Sequence, residues 1–297
     1  MGYALFIGCN IPVHLNQYES SARAVLGKFD LDLEDIPAFN CCGYPMRNID
    51  HEAFVLSSAR NLALAAKKDL NIMSLCKCCY GSLKKAHYLL KENSSFREDI
   101  NRTLNREGLK FEGDIEVKHF LSVLYHEVGL EVIAEKIEHS FKHLKIATHY
   151  GCHALRPSNI VQFDDPVAPI IFDRLVEVTG ALSIDWPAKL DCCGAPLLGI
   201  NNELSMDLTE KKLRSGKQSG ADYLCSACTY CQIQFDHVQK MIQSIRDTDH
   251  QLPSLLYSQL LGLSIGVKRE LLGLEMNQLS LDRIDDFFTV REDMAEA

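Results

Sequence analysis

The sequence of 297 residues lacks the features that mark membrane, secreted and nucleic-acid-binding proteins. No stretch of about 18 uninterrupted apolar residues occurs, so we expect no membrane span. The opening residues, MGYALFIGCN, carry no basic leader ahead of their apolar run, and we expect no secretory signal peptide. Basic residues are too few for a polyanionic partner, since 31 Lys and Arg against 40 Asp and Glu give a net charge of −9. We therefore expect a cytoplasmic protein that does not bind nucleic acid.

Two cofactor motifs are also missing. The chain has no GxGxxG fingerprint, so we expect that it binds neither flavin nor a nicotinamide cofactor. It has no ferredoxin-type CxxCxxCxxxCP run, because the CxxCxxC at 225–231 continues into Gln-Ile-Gln. Any electrons that this chain uses must therefore arrive or leave through another protein.

Cysteine, in contrast, is abundant, with 12 residues. Ten of them form a repeat in which a single cysteine precedes a vicinal pair followed by glycine, and a CxxC ends the series. The two sets are Cys9, Cys41, Cys42, Cys76 and Cys79, and Cys152, Cys192, Cys193, Cys228 and Cys231. The repeat predicts two domains, residues 1–143 and 144–297, with one set of cysteines in each.

The segments that flank the cysteines predict an α/β fold. In each half a helical segment precedes a short apolar run and then the CxxC, at 51–67 and 70–75 in the first half and at 203–219 and 221–224 in the second. Short apolar runs after helices are typical of buried parallel strands. We expect two repeated Rossmann-like βαβ halves with parallel sheets. The cysteines would then lie at the carboxyl ends of the strands, where open sheets bind ligands.

Thiolates that converge at a sheet edge can hold a soft metal ion or an iron–sulfur cluster. Neighbouring cysteines such as Cys41 and Cys42 cannot easily close a disulfide with each other. A tetrahedral zinc site gains nothing from a vicinal pair. The spacing favours iron–sulfur clusters, with zinc and free thiols or disulfides as the alternatives.

The repeat and its flanks resemble the family of heterodisulfide reductase B subunits, which have two cysteine-rich CCG domains. The similar segments are LCKCCYGSL at 75–83, VKHFLSVLY at 117–125, HYGCH at 149–153 and LLYSQLLGLSIG at 255–266. The resemblance implies that each set of five cysteines holds one noncubane 4Fe–4S cluster. It also implies a catalytic role in which a disulfide of two thiols lies between the clusters and receives one electron from each.

The resemblance further implies two partner proteins, the ferredoxin-type C subunit and the flavin-bearing A subunit of a heterodisulfide-reductase-type complex. Two features depart from the family's pattern. The first CxxC contains Cys78 in place of a small residue, and residues 195–200 replace a glycine-rich run that ends in arginine. Because leucine keeps a ligand further from the backbone than glycine does, we expect a reshaped pocket. The alternatives are therefore a bacterial relative that acts on a persulfide or sulfane sulfur, and an electron-transfer subunit of a lactate- or glycolate-type oxidase.

Several polar residues lie close to the repeated cysteines. His153 follows Cys152 directly and is the candidate catalytic proton donor to a product thiolate, with a structural histidine as the alternative. Cys78 and Cys225 are either spare buried thiols or additional ligands or redox-active thiols. An acidic substrate would need basic groups near the clusters. The candidates are Arg47, Lys77, Arg156 and Lys189.

Overall fold

The computed structural model describes residues 2–246 and 251–290. The elements up to residue 141 are β1 (Tyr3–Phe6), α1 (Ile11–His14), α2 (Asn16–Gly27), β2 (Leu33–Glu34), α3 (His51–Ala66), β3 (Asn71–Ser74), α4 (Lys77–Glu92), α5 (Ser94–Leu104), β4 (Val117–His119), α6 (Phe120–Val123), α7 (Leu130–Glu135) and β5 (His139–Phe141). Short 3-10 helices cover Tyr44–Met46 and Asn105–Glu107, and a π-helix covers Leu124–Val128.

The remaining elements repeat this order. They are β6 (Lys145–Thr148), α8 (Ser158–Val161), α9 (Ile171–Glu177), β7 (Leu182–Ser183), α10 (Asn202–Gln218), β8 (Tyr223–Ser226), α11 (Thr229–Ile233), α12 (Gln239–Arg246), β9 (Ser254–Leu256), α13 (Tyr257–Ser264), α14 (Arg269–Leu272) and β10 (Phe288–Val290). Here 3-10 helices cover Ala195–Leu197, Leu274–Met276 and Asp282–Phe287, and a π-helix covers Gln234–Val238.

Each half contains a four-stranded sheet in which every pair of neighbouring strands is parallel. The strand orders are β2-β1-β3-β4 and β7-β6-β8-β9, which are the same topology. In each sheet the second strand in the chain lies on one side of the first strand and the third lies on the other side. The order of strands therefore switches between β1 and β3, and between β6 and β8. Ligands are expected in the crevice outside the carboxyl ends of these strand pairs. The predicted α/β fold of two repeated halves with parallel sheets is confirmed.

Two of the long helices, α3 and α10, start at a capping side chain. The Asp50 carboxylate accepts the N–H of Ala53 at 2.9 Å at the start of α3. The Asn201 side chain accepts the N–H of Leu204 at 3.1 Å at the start of α10, the equivalent helix of the second half. Such caps satisfy a backbone N–H that has no partner within the helix. Both helices therefore begin a fixed distance after the vicinal cysteine pair of their half.

Several helix pairs pack the two halves together, including α14 with α2 and α4 with α8. Helix α13 of the second half lies on α2 of the first, and α6 of the first half lies on α9 of the second. The hydroxyls of Ser21 and Ser258 are 2.7 Å apart across the contact of α13 with α2. The predicted domain boundary after residue 143 stays a prediction, and it falls between β5, which pairs antiparallel with β10, and β6.

Within residues 2–246 and 251–290, no helix combines the length and the apolar character needed to cross a bilayer.

Candidate metal centre

Five cysteines of the first half converge on one cavity. Cys9 follows β1, the pair Cys41-Cys42 follows β2, and Cys76 and Cys79 follow β3 and open α4. All five line one cavity at the carboxyl edge of the sheet. Hydrogen bonds from the thiols of Cys42 and then Cys9 lower the pKa of Cys41 to about 3. The structure thus brings together all five residues that the first repeat selects.

The second set is arranged in the same way. Cys152, Cys193, Cys228 and Cys231 line one cavity at the carboxyl edge of the second sheet. Cys192 adjoins this cavity, since its sulfur contacts the thiols of Cys152 and Cys193. Hydrogen bonds from these two thiols lower the pKa of Cys192 to about 2. The backbone N–H of Gly194 also donates to its sulfur at 3.4 Å.

The two cavities are direct neighbours. Tyr44 and Tyr230 line both of them, and their ring centroids are 5.3 Å apart. The sulfur atoms of Cys76 and Cys228, the first cysteines of the two CxxC motifs, are 3.8 Å apart. The two sets of thiols are therefore separated only by a wall that consists of the rings of Tyr44 and Tyr230 and the sulfur atoms of Cys76 and Cys228.

The glycine of each CCG motif is required by its backbone conformation and by its close packing. Gly43 has φ +81°, and a Cβ there would lie 2.6 Å from the carbonyl oxygen of Phe54. Gly194 has φ +95°, and its Cβ would lie 2.5 Å from the carbonyl oxygen of Ser205. Both contacts are to the helix that follows the vicinal pair. The glycine therefore lets each cysteine pair lie flat against that helix.

We expect Gly194→Ala to lower the free energy of unfolding by about 1–3 kcal/mol. The alanine would have to adopt a left-handed backbone conformation, and its Cβ would clash with a carbonyl oxygen. The measurement is the thermal unfolding midpoint of the full chain. Gly199→Ala is the matched control, since Gly199 has φ +86° but nothing within 4 Å of the added Cβ. Equal losses in the two variants would show that the close packing of Gly194 contributes nothing.

A carboxylate on α9 positions the loops that carry the second set of cysteines. Asp173, whose side chain is 14% exposed, accepts four side-chain hydrogen bonds of 2.5–3.0 Å. The donors are Thr148, Tyr150, Ser183 and Lys189. Tyr150 lies two residues before Cys152, and Lys189 lies three residues before Cys192. Asp173 therefore ties both loops to one helix.

The basic residues that the sequence suggested for substrate binding lie in different environments. Lys77 lines the second cavity, is 1% exposed, and donates to the carbonyl oxygen of His149 at 3.0 Å. Burial lowers its pKa. Lys189 is paired with Asp173, and Arg156 donates to the carbonyl oxygen of Pro166 at 3.4 Å. Arg47 lies over the Tyr44 ring, 5.3 Å from its centroid.

Two residue types at the site were missed in the sequence. The ring nitrogen Nε2 of His149 lies 3.2 Å from the sulfur of Cys231, and the ring is fully buried. Tyr44 and Tyr230 form the shared wall of the cavities. The position of Tyr230 inside the second CxxC was a usable signal, because a residue between two converging cysteines must lie near the site.

The donor set fits iron–sulfur clusters. All 12 cysteines are free thiols, and soft thiolates are the protein ligands of such clusters. Two groups of ligand atoms lie within 4.8 Å of one another, Cys76 with Cys78 and Cys228, and His149 with Cys193 and Cys231. Sulfur donors that approach this closely without forming disulfides are suited to binding a metal centre.

The fold and the two sulfur-lined cavities define a protein with two cysteine-rich domains. The family model for the CCG cysteine-rich domain matches residues 3–84 and 146–236. The chain belongs to the family of heterodisulfide reductase B subunits, as the sequence motifs predicted. It is 35% identical to the B subunit of ferredoxin:CoB-CoM heterodisulfide reductase from Methanosarcina mazei, over 92% of each chain.

A second relative carries a different name. The chain is 29% identical to the 8-methylmenaquinol:fumarate reductase membrane anchor subunit of Wolinella succinogenes, over 95% of this chain and 98% of that one. Among solved structures, a hypothetical protein from Helicobacter pylori shares the fold with a TM-score of 0.73 at 20% identity. That match covers 94% of this chain and 52% of the other.

Proposed function

We propose that this chain is the catalytic iron–sulfur subunit of a heterodisulfide-reductase-type complex, an oxidoreductase that acts on a sulfur group. It would reduce, or reversibly form, a disulfide of two thiols between two noncubane 4Fe–4S clusters. When bound, each cluster would supply one electron, which suits a two-electron cleavage by one-electron centres. The relatives named as reductase subunits support an oxidoreductase role.

The observation that carries this proposal is the adjacency of the two cavities. Tyr44 and Tyr230 are shared by both, and the sulfur atoms of Cys76 and Cys228 are 3.8 Å apart. A substrate bond held at this wall would have one sulfur towards each set of thiols.

The ten repeated cysteines would hold the clusters, one set of five for each. His153 would act on protons, because its Nδ1 atom lies 3.4 Å from the sulfur of Cys152 and 3.5 Å from that of Cys78. Burial lowers the pKa of His153 to about 4. The ring is therefore neutral at pH 7, with one nitrogen donating and the other accepting, and it would relay a proton to the product thiolate.

The electron path would be completed by other proteins. The partners that we propose are a ferredoxin-type C subunit together with a flavin-bearing A subunit, since the sequence has neither a ferredoxin motif nor a dinucleotide fingerprint. The 12 free thiols support a reducing, cytoplasmic location.

The first test is the metal content of the chain. We expect protein purified without oxygen to contain about eight iron and eight acid-labile sulfide per chain, because two complete 4Fe–4S clusters need that number. Elemental analysis and sulfide determination measure both quantities. Full zinc occupancy without labile sulfide would contradict the proposal and favour a zinc-binding scaffold.

The loop after the second vicinal pair favours one alternative substrate class. Ala195 and Pro196 line the second cavity, and the next residues are apolar, with Ile200 82% exposed. Residues 195–200 offer no cation to an acidic coenzyme, so a persulfide or sulfane sulfur carrier is the second candidate substrate. Paramagnetic resonance of the oxidised protein with candidate thiols and persulfides distinguishes them, because only a true ligand changes the cluster signal.

A further inference from the structure

The two helices that follow the vicinal cysteine pairs differ at one buried position. Asn61 lies 11 residues after Asp50, the N-cap of α3, and Lys212 lies 11 residues after Asn201, the N-cap of α10. The two positions are therefore equivalent in the repeat. Both side chains are at most 1% exposed. The second half thus buries a lysine where the first half buries a neutral amide.

Both side chains hold the backbone that leads into the vicinal pair of their half. The amide of Asn61 donates to the carbonyl oxygen of Asn40 at 3.3 Å. The amine of Lys212 donates to the carbonyl oxygens of Ala188 and Asp191, the latter at 3.0 Å. Asn40 and Asp191 each directly precede a vicinal pair. Because an amide is sufficient to hold this backbone in the first half, the role does not explain why the second half uses a charged group.

The charge of Lys212 is not neutralised by a carboxylate. In the part of the chain that the structure describes, its nitrogen forms no ion pair, and it lies 4.7 Å from the centroid of the Trp186 ring. The side chain of Asp191 is exposed, so water and salt screen its carboxylate. Burial lowers the pKa of Lys212 to about 8, and the charge of an ionised Cys193 opposes this change more than any other group does. The amine is therefore mostly protonated at pH 7, close to the second vicinal pair.

The residues inside each CxxC add to this difference, because they line the cavity of the other half. Lys77 and Cys78 line the second cavity, whereas Thr229 lines the first and Tyr230 lines both. Lys77 and Thr229 are equivalent, since each follows the first cysteine of its motif. Among the described lysines, the two that are buried are Lys77 and Lys212. Both lie at the second cavity, and the first half has neutral residues at both equivalent positions.

We propose that the buried charge of Lys212 raises the reduction potential of the cluster held by the second set of cysteines above that of the first. This inference rests on the proposed function, which assigns one cluster to each cavity. A cluster gains one negative charge on reduction, so a nearby cation that is not screened by water stabilises the reduced form. An electron that arrives from the redox partner would then settle on the second cluster, and the next electron would reduce the first. Each cluster would hold one electron before the disulfide is cleaved.

The test is a stepwise reduction of cluster-loaded full-length protein without oxygen, followed by paramagnetic resonance. Cys193→Ala should keep only the first cluster and Cys42→Ala only the second, so these variants assign the two signals without a change at position 212. At a fixed potential, we expect the ratio of reduced to oxidised cluster to be at least about 10-fold higher in Cys42→Ala than in Cys193→Ala. For a one-electron centre this ratio corresponds to about 59 mV.

Lys212→Gln and Lys212→Arg are the matched variants, because glutamine keeps a hydrogen-bond donor without the charge and arginine keeps both. Lys212→Gln should lower the ratio for the second cluster about 10-fold and leave that of the first unchanged. Lys212→Arg should keep the ratio of the unaltered chain.

Two results would overturn the inference. One is an equal ratio in the two single-cluster variants, and the other is a loss of iron in Lys212→Gln with no shift in the potential of the cluster that remains. Reduction of cystamine with a viologen donor, measured on the same samples, tests the proposed function separately. If the ratios are equal while cystamine is still reduced, only the inference fails. A shift of the second cluster alone, in protein that reduces no disulfide, would support the inference and reject the proposed function.

Discussion

Cys193→Ala is expected to abolish disulfide reduction and to lower the iron content from about eight to about four per chain. Cys193 lies in the wall of the second cavity, and its thiol contacts those of Cys192 and Cys231. Alanine removes one of the five sulfur donors proposed for the second cluster. The other four thiols would each already hold the cluster at their own position, so none is free to replace it. Iron and sulfide analysis, resonance spectra and turnover with a viologen donor measure the outcome.

Two variants make this result specific. Cys42→Ala is the equivalent change in the first cavity and should remove the other half of the iron, so that the two spectra together account for the wild-type signal. Cys225→Ala should change neither spectrum nor turnover. Turnover that persists in Cys193→Ala would mean that the second site takes no part in the chemistry.

Asp173→Ala is expected to lower the free energy of unfolding by about 3–5 kcal/mol. The substitution leaves the largely buried ammonium group of Lys189 without its carboxylate partner. For a chain of this length the thermal midpoint should fall by roughly 10 °C. The loops that carry Cys152 and Cys192 lose their common anchor at the same time. We therefore expect the second site to lose more iron than the first during mild heating. Calorimetry and spectra of the loaded chain measure these two effects.

Glu177→Ala is the control for this prediction. Glu177 lies on the same helix as Asp173 and pairs at the surface with Arg174, with a side chain that is 42% exposed. Exposed pairs contribute about 0–1 kcal/mol, so the variant should unfold close to the wild-type temperature. If both variants lose the same stability, the four hydrogen bonds of Asp173 have no special role.

The grouping of the cysteines could be predicted because two simple rules act together. A matched repeat indicates equivalent positions in two halves, and the ends of parallel strands lie at one edge of a sheet. The predicted helix at 51–67 is α3, His51–Ala66, and the apolar run at 221–224 overlaps β8, Tyr223–Ser226. Periodicity and cysteine spacing therefore contained most of the fold.

The connections between the halves could not be predicted in the same way. That Cys78 lies against His153 depends on how the two sheets are placed relative to each other, which no local pattern encodes. Asp173 likewise lies 19 residues before the second vicinal pair in an ordinary amphipathic helix. Its partners come from two strands and two loops, so only the tertiary structure shows that it positions the site.

Cys78 lines the cavity of the second half and Tyr230 lines both cavities, which limits how the two repeats can diverge. A substitution at position 78 is inherited with the first repeat but changes the surroundings of the second site, and one at position 230 is inherited with the second repeat but changes the surroundings of the first site too. If one ancestral unit was duplicated, its copies could not then be selected independently. Exchange of a whole repeat between homologous genes would transfer the cysteine ligands intact while mismatching these two residues. Recombinant chains should therefore recover function through compensating changes in the repeat that was not exchanged.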